Sequence, residues 1–188
     1  ICAMDHRGSL RNMLGESNPG EDDYAKMVER KLELCSSLAG HASAVLIDPV
    51  FGAAQCVAHG VLPGSIGLLI SIEASGYGGE KERRLTGLLS DWNVEKIKRM
   101  GASAVKILVY YRPDLEELAR KQLDTVNLVA RESIEHDIPF LVEPLSYLVG
   151  VEVNNPQEFA HRKGELVIKT AREITALPID VLKAEFPA

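Results

Sequence analysis

A TIM (β/α)8 barrel, with only about six β/α units present, is the α/β fold this sequence predicts, and three observations carry it. Six short apolar runs alternate with long amphipathic ones over 188 residues, the pattern of a parallel sheet covered by helices. Nearly every run closes on a charged residue: Asp5, Asp48, Glu73, Glu143 and Glu185, with Lys106 and Lys183 slightly deeper. That suits a barrel, whose interior is packed and whose chemistry sits on the C-terminal rim. The competing doubly wound sheet prefers a glycine-rich turn straight after its first strand, and Asp5-His6-Arg7-Gly8 is no GxGxxG. A complete barrel takes eight strands and about 250 residues. The expectation is therefore a single barrel domain over 1–188, incomplete at the N-terminus and missing the last two strands.

Each element has its own signal. The first strand is the apolar opening 1–4, ended by Asp5-His6-Arg7-Gly8. A polar segment over 15–23 leads into a helix over 24–39, with Met27, Leu32, Cys35 and Leu38 on one side. The second strand, 43–48, ends at Asp48-Pro49 and is followed by a helical 51–59. The third, 68–73, runs into a glycine-rich loop, Gly76-Tyr77-Gly78-Gly79, and a polar stretch through Arg84. Asn93 is the expected N-cap of a helix over 93–100, and Gly101 its stop. The fourth strand is 104–111, the next helix 114–136, the fifth strand 139–144, and the last helix 156–176. The sixth strand surrounds Val181. Irregular loop chemistry near 14–22 and 148–155 marks places where residues could be missing.

Composition narrows the function. The chain is 46% hydrophobic and 26% charged, which fits one soluble globular domain. No stretch approaches the roughly 20 apolar residues of a membrane span. A net charge of −6 argues against a nucleic-acid surface and leaves an anionic substrate to be met by locally placed lysines or arginines. Cys2, Cys35 and Cys56 are odd in number and far apart, without metal-ligand or CxxC spacing, so a reduced, cytoplasmic protein is expected. The opening Ile1-Cys2-Ala3-Met4 has no cationic n-region and reads as the inside of a strand rather than a signal peptide. The expected partner is a small molecule, with neither nucleic acid nor membrane; a homo-oligomer is left open.

Strand parity then singles out residues. Side chains alternate with period two, so Lys106, Leu108 and Tyr110 share a face, as do Leu141 and Glu143, and Val181, Lys183 and Glu185. Ala3, Asp5 and Arg7 pair likewise. With those faces turned inward, Lys106, Glu143 and Lys183 converge on neighbouring strands about 4.8 Å apart. A lysine beside a second cation in a low-dielectric cavity has a lowered pKa and can attack a ketone as a free amine. Lys183 is the candidate nucleophile, Lys106 the pKa-lowering and orienting cation, Glu143 the proton shuttle. A structural ion pair of Lys183 with Glu143 or Glu185 is the alternative. His41, His59, His136 and His161 fall on helices or at their ends and read as surface residues.

The segments Ala3-Met4-Asp5-His6-Arg7-Gly8, Ile47-Asp48-Pro49, Ala104-Val105-Lys106, Val142-Glu143-Pro144 and Val181-Leu182-Lys183 together resemble the tagatose-1,6-bisphosphate aldolase family, class I aldolases on a TIM barrel. The resemblance implies a Schiff-base lysine at Lys183, an acid/base glutamate at Glu143, a supporting lysine at Lys106 and a substrate-contacting aspartate at Asp5. It matches Arg7 to an arginine that meets a phosphate or hydroxyls, and places His6 where the family usually carries glutamine. Arg7, His6 and Glu185 are the candidate substrate-binding residues. The implied reaction is cleavage of a ketose 1,6-bisphosphate to dihydroxyacetone phosphate and glyceraldehyde 3-phosphate, with no cofactor and no metal. A sulfofructose-phosphate or other ketose-phosphate aldolase is the near alternative. A metal-dependent lyase using Asp5, His6, Asp48, Glu73 and Glu143, or a non-catalytic binding barrel, are the distant ones.

Overall fold

The computed structural model describes residues 1–15 and 21–187. Six strands form one parallel sheet in sequential order: β1 (Cys2–Met4), β2 (Ala44–Ile47), β3 (Gly67–Ser71), β4 (Ala104–Tyr110), β5 (Phe140–Leu145) and β6 (Val181–Leu182). Each crosses to the next through helical chain: α1 (Gly8–Met13) and α2 (Glu21–Leu38), then α3 (Ala53–Ala58), α4 (Val94–Arg99), α5 (Glu116–Glu135) and α6 (Pro156–Ile174). Sequential order with every neighbour parallel is the arrangement of a barrel, not of a doubly wound sheet. The fold is thus a curled (β/α)6 half-barrel.

The strands have two apolar faces because both are covered. Outward residues Met4, Val45, Ile47, Ile70, Val105, Ile107, Val109, Phe140 and Val142 pack under the helices in the main core. Inward residues Leu46, Leu69 and Leu141, with Ala44 and Ala104, form a small separate cluster. That cluster is a hydrophobic floor inside the curl, and the polar residues lie above it.

Asn93 caps α4 as expected, its side chain accepting from Lys96 N at 2.8 Å, and Gly101 leaves the helix at φ 88°. Other expectations need correction. α1 is a six-residue helix with only Leu10 buried and no side-chain cap, too short to show a period. The expected polar segment over 15–23 includes residues 16–20, outside the described ones, and α2 starts at Glu21 rather than 24. The stretch 148–155 contains a 3-10 turn at Gly150–Val153. The polar run after β3 doubles back as a small hairpin, with antiparallel bridges Glu73 to Leu88 and Gly78 to Leu85. Strand β6 is only two residues long. Among the described residues, no helix is long and apolar enough to cross a membrane.

Candidate active site

Lys106 stands third in β4 and points into the curl above the leucine floor, with no solvent exposure. Its Nζ lies 2.7 Å from Asp5 Oδ2, 2.9 Å from Glu73 Oε1 and 3.1 Å from Glu143 Oε2. One ammonium therefore gathers carboxylates from the C-terminal ends of β1 and β3 and from β5. Burial disfavours its charge, but Glu73, Asp5 and Glu143 outweigh that and push its pKa above the ordinary lysine range. Lys106 is a fixed cation. At Asp5, burial pulls upward and is overcome by the charge and hydrogen bond of Lys106, with Lys183 adding, so the carboxyl titrates below its usual range. Glu73 behaves oppositely: burial dominates, and its carboxyl titrates above the usual range despite Lys106. Its Oε2 is buried without a hydrogen-bond partner.

Lys183 follows β6 directly, and its backbone N–H, donating to Val142 O at 2.9 Å, extends the pairing with β5. Its Nζ lies 2.5 Å from Glu143 Oε1, and its side chain is 45% exposed. Glu143 thus bridges the two lysines with its two oxygens, as strand parity predicts. Asp5, His6, Arg7, Glu73, Glu143 and Lys183 all line one open cleft at the C-terminal rim. Arg7 is less free than expected, because its guanidinium donates to Glu73 O at 2.6 Å. His6 is held below the usual histidine range by partial burial and by the charge of Lys31, so its ring is neutral at pH 7.

Glu185 does not line this cleft, so its side chain lies away from Lys183 rather than beside it as parity suggests. Strand geometry stops at Leu182, so the alternation that placed Glu185 beside Lys183 no longer applies. Its carboxylate accepts from Ser146 N at 2.7 Å and Ser146 Oγ at 2.5 Å, and pairs with Lys163 of α6 at 3.3 Å.

The oxygen-rich set weighed for a divalent cation is also rearranged. Asp5, Glu73 and Glu143 do converge, but on the ammonium of Lys106. Asp48 has left them: Oδ2 pairs with Lys31 at 2.9 Å, and Oδ1 accepts from the N–H groups of Val50 and Phe51 at 3.0 and 2.8 Å. Among the described residues, no group of three or more His, Cys, Asp or Glu is placed to hold a metal ion.

Lys31 is the residue that sequence reasoning missed. It is fully buried on α2, donates to Met4 O and to His6 O at 2.7 Å, and so fixes the backbone on both sides of Asp5. A signal was present: Met27, Lys31 and Cys35 recur at i, i+4 and i+8 and are all fully buried, which puts a lysine inside an apolar stripe. Glu73 was visible as a strand-end charge but not as the third ligand of Lys106.

A family model described as "DeoC/LacD family aldolase" matches residues 1–188. The chain is 34% identical over 188 residues to a tagatose 1,6-diphosphate aldolase of Lactococcus lactis subsp. lactis, covering 98% of this chain and 57% of that one. It is 32% identical over 189 residues to a tagatose 1,6-diphosphate aldolase of Staphylococcus aureus, with the same coverage. It spans little more than half the length of these curated relatives. The crystal structure of a Corynebacterium glutamicum protein superposes with a TM-score of 0.61 at 17% identity, over 94% of this chain and 56% of that one, a likeness of fold.

Proposed function

The chain belongs to the DeoC/LacD family of aldolases, and from that premise we propose that it carries the Schiff-base centre of a class I aldolase acting on a ketose 1,6-bisphosphate such as tagatose 1,6-bisphosphate. The products are dihydroxyacetone phosphate and glyceraldehyde 3-phosphate. One observation carries the proposal: Glu143 is shared between a fully buried lysine and a half-exposed one, at 3.1 and 2.5 Å.

The exposed lysine is the nucleophile. Glu143 takes the ammonium proton of Lys183, the free amine adds to the C2 ketone, and the carbinolamine forms as a proton passes from the new N–H2+ centre to the former ketone oxygen. Glu143, in its acid form, protonates the carbinolamine hydroxyl, which leaves as water, and the iminium remains. A carboxylate of the cluster then accepts the C4 hydroxyl proton. The C3–C4 bond breaks, its electron pair passes into the iminium as an enamine, and the aldehyde is released. Protonation of the enamine at C3 and addition of water return the ketone product and the free Lys183. Lys106 holds the charge of Asp5, Glu73 and Glu143 in place through these proton movements, and its fixed dipole contacts cost little reorganisation. The cleft faces the C-terminal rim, where barrel enzymes place their chemistry.

Borohydride reduction in the presence of dihydroxyacetone phosphate, followed by peptide mass mapping, tests the proposal. An irreversible adduct on Lys183 is expected. Active protein that yields no adduct, or turnover abolished by a chelator, would sink the Schiff-base route.

A further inference from the structure

The hairpin after β3 carries an arginine that the proposed reaction leaves unused. Gly76 and Gly79 turn the chain at φ 78° and 82°, conformations that favour glycine. Paired hydrogen bonds between Gly78 and Leu85, 2.7 and 2.9 Å, then close the hairpin. This brings Arg84 over three aromatic rings, with its guanidinium carbon 4.5 Å from the centroid of Tyr77, 5.0 Å from Tyr147 and 5.3 Å from Tyr110. The rings brace one another edge to face, Tyr77 to Tyr110 at 5.2 Å and Tyr110 to Tyr147 at 6.3 Å. The cage is anchored on the core, because Tyr147 O accepts from the fully buried guanidinium of Arg112 at 2.5 Å.

Arg120, Arg131 and Arg172 also lack an ion pair among the described residues; what sets Arg84 apart is that it is unpaired and held over aromatic rings as well. Arg112 and Arg162 share Asp114 and Glu152, Arg83 meets Glu117, and Arg7 holds Glu73 O. Among the described residues no carboxylate lies within ion-pair reach of Arg84, whose Nε donates to Lys81 O at 2.9 Å. Its two terminal nitrogens remain for a ligand. Beside it the hydroxyl of Tyr147, a residue only 4% exposed, is buried against the backbone N–H of Arg84. A guanidinium braced on ring faces has little freedom left to lose and presents a planar fork that matches phosphate.

The cage also borders the reaction cleft. Tyr110 lines that cleft together with Lys183 and Glu143. It pairs with Leu145, one inward step above the level at which Leu108 pairs with Glu143, a rise of about 7 Å. β4 and β6 are two strand spacings apart, about 10 Å. That diagonal suits an extended six-carbon chain fixed at C2 by Lys183 and ending in a phosphate.

We propose that Arg84, held on the faces of Tyr77, Tyr110 and Tyr147, binds the distal phosphate of the ketose bisphosphate, the anion furthest from the Schiff base. This rests on the aldolase reading above and adds to it the requirement for a second anionic group. The cage discriminates against substrates that lack it, because among the described residues no carboxylate pairs with the guanidinium and its two terminal nitrogens are left for the ligand.

Steady-state kinetics of Arg84→Met and Arg84→Lys, with tagatose 1,6-bisphosphate and tagatose 1-phosphate as substrates, test it. For Arg84→Met we expect KM for the bisphosphate to rise at least about tenfold, the loss typical of a hydrogen bond to a charged group. We expect kcat to hold within about threefold, KM for the monophosphate to stay put, and Arg84→Lys to recover part of the loss. Equal KM increases for both substrates, or none for the bisphosphate, overturn the proposal. Borohydride trapping of dihydroxyacetone phosphate on Lys183, measured in parallel, reports on the aldolase reading alone. Should that trapping fail in wild type, calorimetric titration with glyceraldehyde 3-phosphate still decides the arginine's role: binding lost in Arg84→Met supports it, and binding unchanged refutes it.

Discussion

Replacing Lys106 with methionine removes the cation that three carboxylates share while keeping nearly the same side-chain length. Breaking a buried pair by removal of one partner costs about 3–5 kcal/mol. Asp5 and Glu143 retain 16% and 14% exposure, so water relieves part of the penalty, and Glu73 can escape the rest by taking a proton. We therefore expect the lower end, about 3 kcal/mol at pH 8. At a urea slope of about 2–3 kcal/mol/M, the unfolding midpoint moves down by about 1 M. The pH dependence gives a sharper check. In the wild type the folded Asp5 titrates below its unfolded value, so its stabilisation is present above the unfolded pKa and is lost as pH falls through the folded one. In the variant the orphaned carboxylates titrate above their unfolded values, so stability is present at low pH and lost as pH rises through those raised values. Both effects widen the gap in the same direction, from small near pH 4 to full near pH 8. Urea unfolding followed by circular dichroism measures it. A deficit flat across that range, or below about 1 kcal/mol at pH 8, would refute the view that charge is what places Lys106.

Three other substitutions separate chemistry from scaffold. Lys183→Ala is expected to abolish both turnover and borohydride trapping while shifting stability by no more than about 1 kcal/mol, since an ion pair this exposed contributes little; retained turnover excludes Lys183 as nucleophile. Glu185→Gln is expected to cost about 1 kcal/mol through its bonds to Ser146 and to leave kcat and KM unchanged; a raised KM in a stably folded variant would return Glu185 to the substrate. In Gly79→Ala a Cβ would sit 2.5 Å from Arg83 O at a φ of 82°, a strain of about 1–3 kcal/mol. Through the displaced hairpin it should raise KM for the bisphosphate as Arg84→Met does, and an unchanged KM would detach the hairpin from binding.

What the sequence disclosed and what it hid divide along physical lines. The strands were legible because a parallel sheet buried on both faces leaves continuous apolar runs, and parity within β4 and β5 placed Lys106 and Glu143 correctly, since pleated backbone enforces the alternation over 7 and 6 residues. The same rule misplaced Glu185, because β6 ends after two residues and alternation has no hold on irregular chain. Helix α1 was invisible for want of a cap and of enough turns to show a stripe. Asp48 looked like its fellow strand-end carboxylates, and only the lysine reaching down from α2 shows why it serves the scaffold instead. The cage on Arg84 had a local hint in its glycine-rich turn, yet two of its rings, Tyr110 and Tyr147, come from distant segments, and no one-dimensional pattern connects them.

Lys106 and Lys183 bear the same amine on one rim, on either side of β5, and parity alone cannot say which of them reacts. Their surroundings can. A nucleophilic amine must pass time without its proton. Lys106 is fully buried among three carboxylates that hold its pKa above the ordinary lysine range, so its deprotonation would leave those anions clustered without a counter-ion. Lys183 meets one carboxylate, and that carboxylate already has Lys106 as a second partner. When Lys183 gives up its proton, Glu143 keeps a cation at 3.1 Å, so the cluster stays compensated. Two lysines on one glutamate thus let one be permanently charged and the other be chemically free, and the half-exposed amine is also the one a ketone entering the cleft can reach. The buried lysine is a condition for the reactive one, which is why the proposed mechanism needs both and gives them unlike tasks.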